Sequence, residues 1–206
     1  MSNVMAVGGV LAAALFASTV TTEPLAEPAE RITISVETVN GSGCSAGTAR
    51  VSTAADDTSF TVTYSDYYVL GGDGARPTES RKNCQISLRV QIPQGLTFAV
   101  AQVDLQGYAH LQPGATGSQH SHYYFMGTSP TAQTSHEFKG PYSDFWRTSD
   151  RAAALVYAPC GEDRNLNVNT ELRVDGGGSG NGTSFMAMDS TRGSVRSLYH
   201  LSWREC

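Results

Sequence analysis

Residues 159–176 read Pro-Cys-Gly-Glu-Asp-Arg-Asn-Leu-Asn-Val-Asn-Thr-Glu-Leu-Arg-Val-Asp-Gly, and this stretch decides the fold class. Between Asn165 and Val174 polar and apolar positions alternate without interruption. The polar positions are Asn165, Asn167, Asn169, Glu171 and Arg173, and the positions between them are apolar or Thr. Strict alternation is typical of a β-strand, because successive side chains of a strand point to opposite faces of the sheet. The stretch therefore predicts a sheet with one polar and one apolar face.

The same period of two recurs elsewhere in the chain. Residues 85–92 alternate in the same way, and other runs rich in Thr, Val and Tyr lie between Gly- and Pro-containing turns. The spacing typical of an amphipathic helix is not sustained over three turns anywhere. We therefore predict an all-β protein, an antiparallel β-sandwich or jelly-roll-like fold of roughly ten strands. Residues 96–111 and 116–126 are predicted to pair as a hairpin around the Pro113-Gly114 turn.

Composition narrows the functional classes. The chain has 206 residues, of which 16% are charged, and a formal net charge of −5. Its 14 basic residues are scattered, whereas nucleic-acid binding needs a clustered basic footprint, so we expect no nucleic-acid partner. There is also no polybasic segment for anionic membranes. These features favour one exported β-rich domain, which we expect to be a monomer.

The first residues predict export. No charged side chain occurs before Glu23, and residues 5–17 are apolar and rich in Ala. This run is shorter than a membrane span and is typical of a secretory signal peptide, which we assign to residues 1–19. Residues 20–31 are predicted to be a flexible Pro/acid linker, and residues 32–206 the folded domain. The mature protein is expected to be secreted, without a membrane anchor.

The chain has four cysteines: Cys44, Cys84, Cys160 and Cys206. An even number in an exported chain favours two disulfides, and four cysteines allow three connectivities. We favour Cys44–Cys84 with Cys160–Cys206, because each pair stays within one half of the chain. No Cys or His spacing suits a zinc site, and no cofactor is predicted.

Several blocks of sequence resemble DUF4360, a family of secreted bacterial and fungal proteins. They are Val-Asn-Gly-Ser-Gly-Cys at 39–44, Phe-Thr-Val-Thr-Tyr-Ser-Asp-Tyr at 60–67, Arg-Lys-Asn-Cys-Gln at 81–85, residues 159–174, Met-Asp-Ser at 188–190 and Trp-Arg-Glu-Cys at 203–206. The resemblance spans nearly all of the predicted mature chain, and all four cysteines lie in or beside these blocks. It implies export, disulfides and a β-rich fold, and it assigns no activity.

Three histidines form a candidate catalytic or metal site. If the predicted hairpin closes with a three-residue loop, Asp104, His110, His120 and His122 share a face of the sheet. A two-residue loop instead moves His120 and His122 to the opposite face, because a one-residue change of register reverses every side chain. The first register would suit a secreted hydrolase or another metal-dependent enzyme.

The polar faces of residues 85–91 and 165–173 are a candidate sugar-binding surface. Amide and charged side chains can bind hydroxyl groups, and rings such as Tyr142 and Trp146 can stack on sugar faces. The alternative is a solvated outer face, for which alternation alone requires polar residues. From the sequence we favour a non-enzymatic extracellular interaction module whose partner is a polysaccharide or cell wall. Asn40 and Asn181 each begin an N-glycosylation sequon.

Overall fold

The computed structural model describes residues 31–128, 132–178, 180, 182–188 and 196–206. The predicted signal peptide, residues 20–30 of the predicted linker and the sequon asparagine Asn181 lie outside this part of the chain. Arg31, the last residue of the predicted linker, donates a hydrogen bond from Nε to the Asp57 carboxylate at 3.3 Å. Among the described residues, no helix is long and apolar enough to cross a membrane.

Within those residues the chain forms twelve strands and one 3₁₀ turn, so the all-β prediction is confirmed. The strands are β1 Thr33–Asn40, β2 Ala49–Thr53, β3 Ser59–Tyr64, β4 Tyr68–Gly72, β5 Arg81–Gln91, β6 Leu96–Leu111, β7 Thr116–Phe125, β8 Ala132–Lys139, β9 Tyr142–Arg151, β10 Leu166–Asp175, β11 Thr183–Ala187 and β12 Ser197–Glu205, and the 3₁₀ turn is Pro77–Glu79. The strand predicted at 165–174 is β10, displaced by one residue.

The strands form two antiparallel sheets, as the sandwich prediction requires. Sheet A has the order β1-β5-β10-β7-β8, which places β10 at its centre. Sheet B has the order β2-β3-β12-β6-β11-β4, and β9 pairs with the other edge of the long strand β6. The sequence stretch that decides the fold class therefore lies between two neighbours, with Asn169 of β10 opposite Gln85 of β5 and His122 of β7.

The core lies between the apolar faces of the two sheets. Leu166, Val168 and Leu172 of β10 are fully buried, as the alternation predicts. Sheet B supplies Phe60 and Tyr199, whose rings stack with centroids 4.7 Å apart. Burying one such side chain contributes about 1.5–3 kcal/mol, so the matched apolar faces hold the two sheets together.

The predicted hairpin of residues 96–111 with 116–126 is wrong. Strand β6 pairs with β12, β11 and β9 in sheet B, whereas β7 pairs with β10 and β8 in sheet A. The Pro113-Gly114 turn, closed by a hydrogen bond from Ala115 N to Gln112 O of 3.0 Å, carries the chain from one sheet to the other. Both strands have an apolar face, and placing them in opposite sheets buries those faces in a common core.

The Gly, Pro, Ser and Asp residues of segment 140–146 predict an aromatic loop, but residues 142–146 form the first half of strand β9. This strand pairs with β6 over its whole length, from Tyr142 opposite Leu111 to Arg151 opposite Gln102. Its alternation places Trp146 and Thr148 in the core. The dense turn-forming residues before Phe145 obscured that period in the sequence.

The predicted disulfide pairing is confirmed. Cys44 and Cys84 join the turn after β1 to β5, with Cα atoms 5.3 Å apart. Cys160 and Cys206 join the segment before β10 to the C-terminal residue, with Cα atoms 5.8 Å apart. Each bridge closes a loop of about 40 residues, which stabilises the fold by about 4 kcal/mol in the chain-entropy account.

Candidate functional site

The histidine cluster expected from the sequence does not assemble. His110 lies on the outer face of sheet B, whereas His120 and His122 lie on the outer face of sheet A. The sandwich core separates these two faces, because packed sheets lie about 10 Å apart. No group of three or more metal-ligating side chains occurs in the described part of the chain. The hypothesis of a metal-dependent enzyme at these residues therefore loses its geometric basis.

Asp104 belongs to a different network. Its carboxylate accepts hydrogen bonds from Ser149 Oγ at 2.6 Å and Gln102 Nε2 at 2.8 Å, and lies 2.7 Å from His200 Nε2. Burial would raise the pKa of Asp104, but these three hydrogen bonds lower it below its usual value. The group is a structural link between β6, β9 and β12.

The aromatic residues proposed as sugar-stacking rings are not available. Trp146 is 1% exposed in the core and packs against Phe138 with ring centroids 5.5 Å apart. Tyr142 also packs against Phe138 and donates its hydroxyl to the Phe145 carbonyl at 3.0 Å. Both residues lie on the inward side of β9, where Trp146 is fully buried and Tyr142 is partly buried against the core.

The polar face predicted for residues 85–91 and 165–173 exists, and it covers the outside of sheet A. Three rows of side chains lie side by side on the central strands. They are Arg81, Asn83, Gln85 and Ser87 on β5, Asn167, Asn169, Glu171 and Arg173 on β10, and Ser118, His120, His122 and Tyr124 on β7. The register places Glu171 between Asn83 and His120, so polar groups of three strands converge there.

The asparagine row is only partly open to solvent. Asn165 donates a hydrogen bond from Nδ2 to Ser87 Oγ at 3.1 Å, and Asn167 is buried. Alternation predicted the direction of these side chains correctly, but not how closely their neighbours would pack over them. Candidate ligand contacts on this face are therefore confined to the end near Glu171.

A depression of about 320 Å³ lies at that end, and we name it the Glu171 depression. It is lined by Arg81, Asn83, His120, His122, Asn169, Thr170, Glu171 and Arg173. The volume is within the range of small-molecule sites, about 300–1,000 Å³. All of these residues are of polar types, and several carry planar groups that can form paired hydrogen bonds.

Glu171 is the carboxylate of the depression, and its side chain is 17% exposed. It forms ion pairs with both Arg81 and Arg173. Burial would raise the pKa of Glu171, but hydrogen bonds from the two guanidinium groups lower it below its usual value. Burial also lowers the pKa of His122, against the opposing charge of Glu171. Near neutral pH two positive groups therefore face one carboxylate.

Asn169 is one of the residues that line the depression, and its side chain carries an unsatisfied donor. Its Nδ2 atom is buried and has no hydrogen-bond partner within the described residues. A buried donor left unpaired costs about 1–3 kcal/mol, so an oxygen acceptor in the depression would be stabilised there.

The outer face of sheet B holds a second feature, which we name the aromatic platform. It consists of Tyr68, Tyr108, Phe145 and Phe185, contributed by β4, β6, β9 and β11. Phe145 is 52% exposed, and Tyr68 is exposed as well. The ring centroids of Tyr108 lie 5.3 Å from Phe145 and 5.7 Å from Phe185. The rings of Tyr108, Phe145 and Phe185 thus form one connected group. Tyr68 lies on the same face beyond Ala187, with Lys82 Nζ 4.4 Å from the centroid of its ring.

A hydrogen-bonded chain lies along the aromatic platform. Gln112 Nε2 lies 3.0 Å from His110 Nε2, and Ser143 Oγ lies 3.0 Å from His110 Nδ1. Since the amide nitrogen can only donate, His110 Nε2 accepts and Nδ1–H donates to Ser143. Ser143 Oγ is also 3.1 Å from the Tyr108 hydroxyl. Polar groups of fixed orientation therefore stand beside exposed rings.

Sequence reasoning missed this platform because its members come from four separate strands. From the sequence, Phe145 is a possible stacking ring of a predicted loop, without known neighbours. The residues that lie beside Tyr108 and Tyr68 depend on the order of the strands in the sheet. The only local signal is an aromatic residue at a polar position of an alternating strand, as at Tyr108 in β6.

A sequence model described as "Domain of unknown function (DUF4360)" matches residues 30–206. The chain belongs to the DUF4360 family. A relative from Arthroderma benhamiae (strain ATCC MYA-4681 / CBS 112371), described as an uncharacterized secreted protein, is 33% identical over 171 residues. That match covers 82% of this DUF4360 chain and 69% of the relative, so the family predicted from the cysteine-containing blocks is confirmed.

Among solved structures, this DUF4360 chain is similar to one described as TmCBM61 in complex with beta-1,4-galactotriose. The sequence identity is 9%, the match covers 85% of this chain and 88% of that chain, and the TM-score is 0.29. At that TM-score the neighbour does not bear on this chain's ligand, and the β-sandwich is defined by the strand pairing given above.

Proposed function

We propose that this DUF4360 protein is a secreted, non-enzymatic module that binds an extracellular or cell-wall polysaccharide. The observation that carries the proposal is the aromatic platform of Tyr68, Tyr108, Phe145 and Phe185. Its rings are held on a rigid sheet beside a chain of hydrogen-bonding groups.

Exposed rings on a sheet face favour a ligand with flat apolar faces. Leaving a ring such as Phe145 in water forgoes the free energy of burying it, and clustered exposed rings mark interaction surfaces. Sugar rings offer apolar C–H faces together with hydroxyl groups, so they need rings and polar groups from the same surface. His110, Ser143 and Gln112 supply such polar groups, because their hydrogen-bonded chain fixes their orientation.

The size of the platform favours an oligosaccharide over a single sugar. It extends from Phe145 on β9 to Tyr68 on β4 through Tyr108 and Ala187, which lie side by side in register. Three strand spacings correspond to about 14 Å. A row of this length suits several consecutive sugar rings of one polymer.

An extracellular location agrees with the same proposal. The relative at 33% identity is described as secreted, and both disulfides suit an oxidising compartment. The uncharged start of the chain predicts a signal peptide, and cleavage would release the sandwich outside the cell.

Retention on neutral polysaccharides tests the function. We expect the mature protein to be retained by at least one of cellulose, chitin, β-1,3-glucan or mannan. Phe145→Ala should weaken that retention about tenfold, because it removes an aromatic contact of about 1.4 kcal/mol. Leu155→Ala is the matched control, since Leu155 is a large exposed apolar residue outside the platform.

Two results would contradict the proposal. No retention of the wild-type protein on any of the four polysaccharides would overturn the binding function. An equal loss of retention in Phe145→Ala and Leu155→Ala would show nonspecific apolar adsorption and would exclude the platform as the binding site.

A further inference from the structure

The Glu171 depression lies on the opposite face of the sandwich from the aromatic platform and has a different chemistry. It contains no exposed aromatic cluster, and its lining is rich in hydrogen-bond donors. Glu171 accepts from Nη2 of Arg81 and from Nε of Arg173. A guanidinium carries five N–H donors, so each arginine retains donors for another acceptor. The side chains of both arginines are more than half exposed, which leaves those donors accessible.

Arg81 differs from Arg89, another arginine of strand β5, in the charge balance of its ion pair. Arg89 lies on the same strand and the same face, its side chain is also 57% exposed, and it pairs with the single carboxylate of Glu37. That pair is balanced, with one charge of each sign. At Glu171 two guanidinium groups share one carboxylate, so positive charge is in excess although the whole chain has a net charge of −5.

The unpaired Nδ2 atom of Asn169 is a second, independent observation. Asn169 is one of the residues that line the depression, and the strand register places it between Gln85 of β5 and His122 of β7. A ligand oxygen that reaches this atom would remove the cost of a buried unpaired donor. Excess guanidinium and an unpaired amide donor both select a ligand rich in acceptors.

We infer that the Glu171 depression is a second binding site that takes the carboxylate of an acidic sugar unit in a polysaccharide. Arg81 and Arg173 bind the carboxylate through their forked N–H groups, which match its planar geometry. Asn169 donates to an oxygen of the same unit, and Glu171 holds the two guanidinium groups in place. This site is distinct from the proposed neutral-polysaccharide site on sheet B.

The surroundings favour a polymer over a small free anion. Arg81 and Arg173 also line a neighbouring cavity of about 600 Å³, which is lined as well by Arg76, by the carboxylates of Asp73 and Asp175 and by the Gly176–Gly178 segment. The depression therefore adjoins a larger cavity, which offers room for further units of a polymer beside the unit bound at Glu171.

Affinity electrophoresis on polygalacturonate and on its methyl ester tests the inference, because the two polymers share a backbone and differ in the carboxylate. We expect the wild-type protein to be retarded by the acid form at least about tenfold more strongly than by the ester, the loss expected for a charged bidentate contact. Arg173→Gln and the double variant Arg81→Gln/Arg173→Gln should lose this retardation. Arg89→Gln should keep it, and circular dichroism with thermal unfolding should show that each variant is folded.

Several outcomes would overturn the inference. Equal retardation by acid and ester would exclude carboxylate recognition, and absence of retardation by either would exclude the site. A loss in Arg89→Gln equal to that in Arg173→Gln would show diffuse charge attraction only. Loss of polygalacturonate binding in Phe145→Ala would show that there is no second site. Neutral-polysaccharide retention is a separate readout, so the failure of one proposal can be told from the failure of the other.

Discussion

Gly107 lies in β6 where the neighbouring strands β9 and β11 leave no space for a side chain. A Cβ atom at this residue would overlap the Trp146 ring of β9 and the carbonyl oxygen of Ala187 in β11. Both neighbours are constrained, because the ring is buried in the core and the carbonyl belongs to a paired strand. Glycine at 107 thus allows the strands that carry Phe145 and Phe185 to approach β6.

We expect Gly107→Ala to reduce the free energy of unfolding by about 1–3 kcal/mol, since overpacking forces the ring or the strand to shift. Urea denaturation measures this change. Gly178→Ala is the control, because a Cβ atom there would have no neighbour within 4 Å. An unchanged stability of Gly107→Ala would contradict the close packing of β6 against β9.

The asparagine row of β10 shows how far single residues could be predicted. The alternation of polar and apolar residues correctly predicted that Asn165, Asn167 and Asn169 share a face of the sheet. It did not predict that Asn167 is buried and Asn165 engaged with Ser87, because those contacts depend on which strands lie beside β10. The direction of a side chain is a local property of its strand, whereas its exposure depends on the strands that lie beside it.

Strand β9 separates two adjacent aromatic residues onto opposite sides of sheet B. Trp146 points into the core and Phe145 into solvent, although both were candidates for sugar stacking. The sequence around them contains Gly, Pro, Ser and Asp, which predicted a loop. Pairing with the long strand β6 overrides these local preferences, because ten residues of β9 gain backbone partners.

The two aromatic residues should respond oppositely to substitution. We expect Trp146→Ala to cost about 3–5 kcal/mol of unfolding free energy, because it leaves a large cavity in the core. Phe145→Ala should change stability by less than about 1 kcal/mol, as for most exposed positions. Chemical denaturation of both variants measures this, and a similar cost for the two would contradict the observed orientation of β9.

The core as a whole contains three buried tyrosines, Tyr64, Tyr67 and Tyr199. Thr170 Oγ1 of β10 donates to the Tyr67 hydroxyl at 3.3 Å, so polar groups of sheet A reach across to this cluster. Burial raises the pKa of Tyr64 to about 12, and it raises the pKa values of Tyr67 and Tyr199 as well. The neutral phenols are therefore part of the folded state.

These shifts predict alkaline unfolding. Because the folded state favours the neutral phenols, their contribution to stability is complete below the unfolded pKa of about 10 and is lost as pH rises towards the folded values. We expect three of the nine tyrosines to ionise only together with loss of the β-sheet circular dichroism signal. An ultraviolet titration in which all nine ionise near pH 10 with the fold intact would contradict this.

By itself, the sequence determined the local properties of the protein: the alternating strands, the all-β class and the family. Each of these depends on neighbouring residues or on short motifs such as those around Cys44 and Cys160. Only the tertiary structure decided that β6 and β7 lie in opposite sheets, which separates His110 from His120 and His122. It also assembled the aromatic platform and the Glu171 depression, because both are built across neighbouring strands whose order is set by burial of the common core.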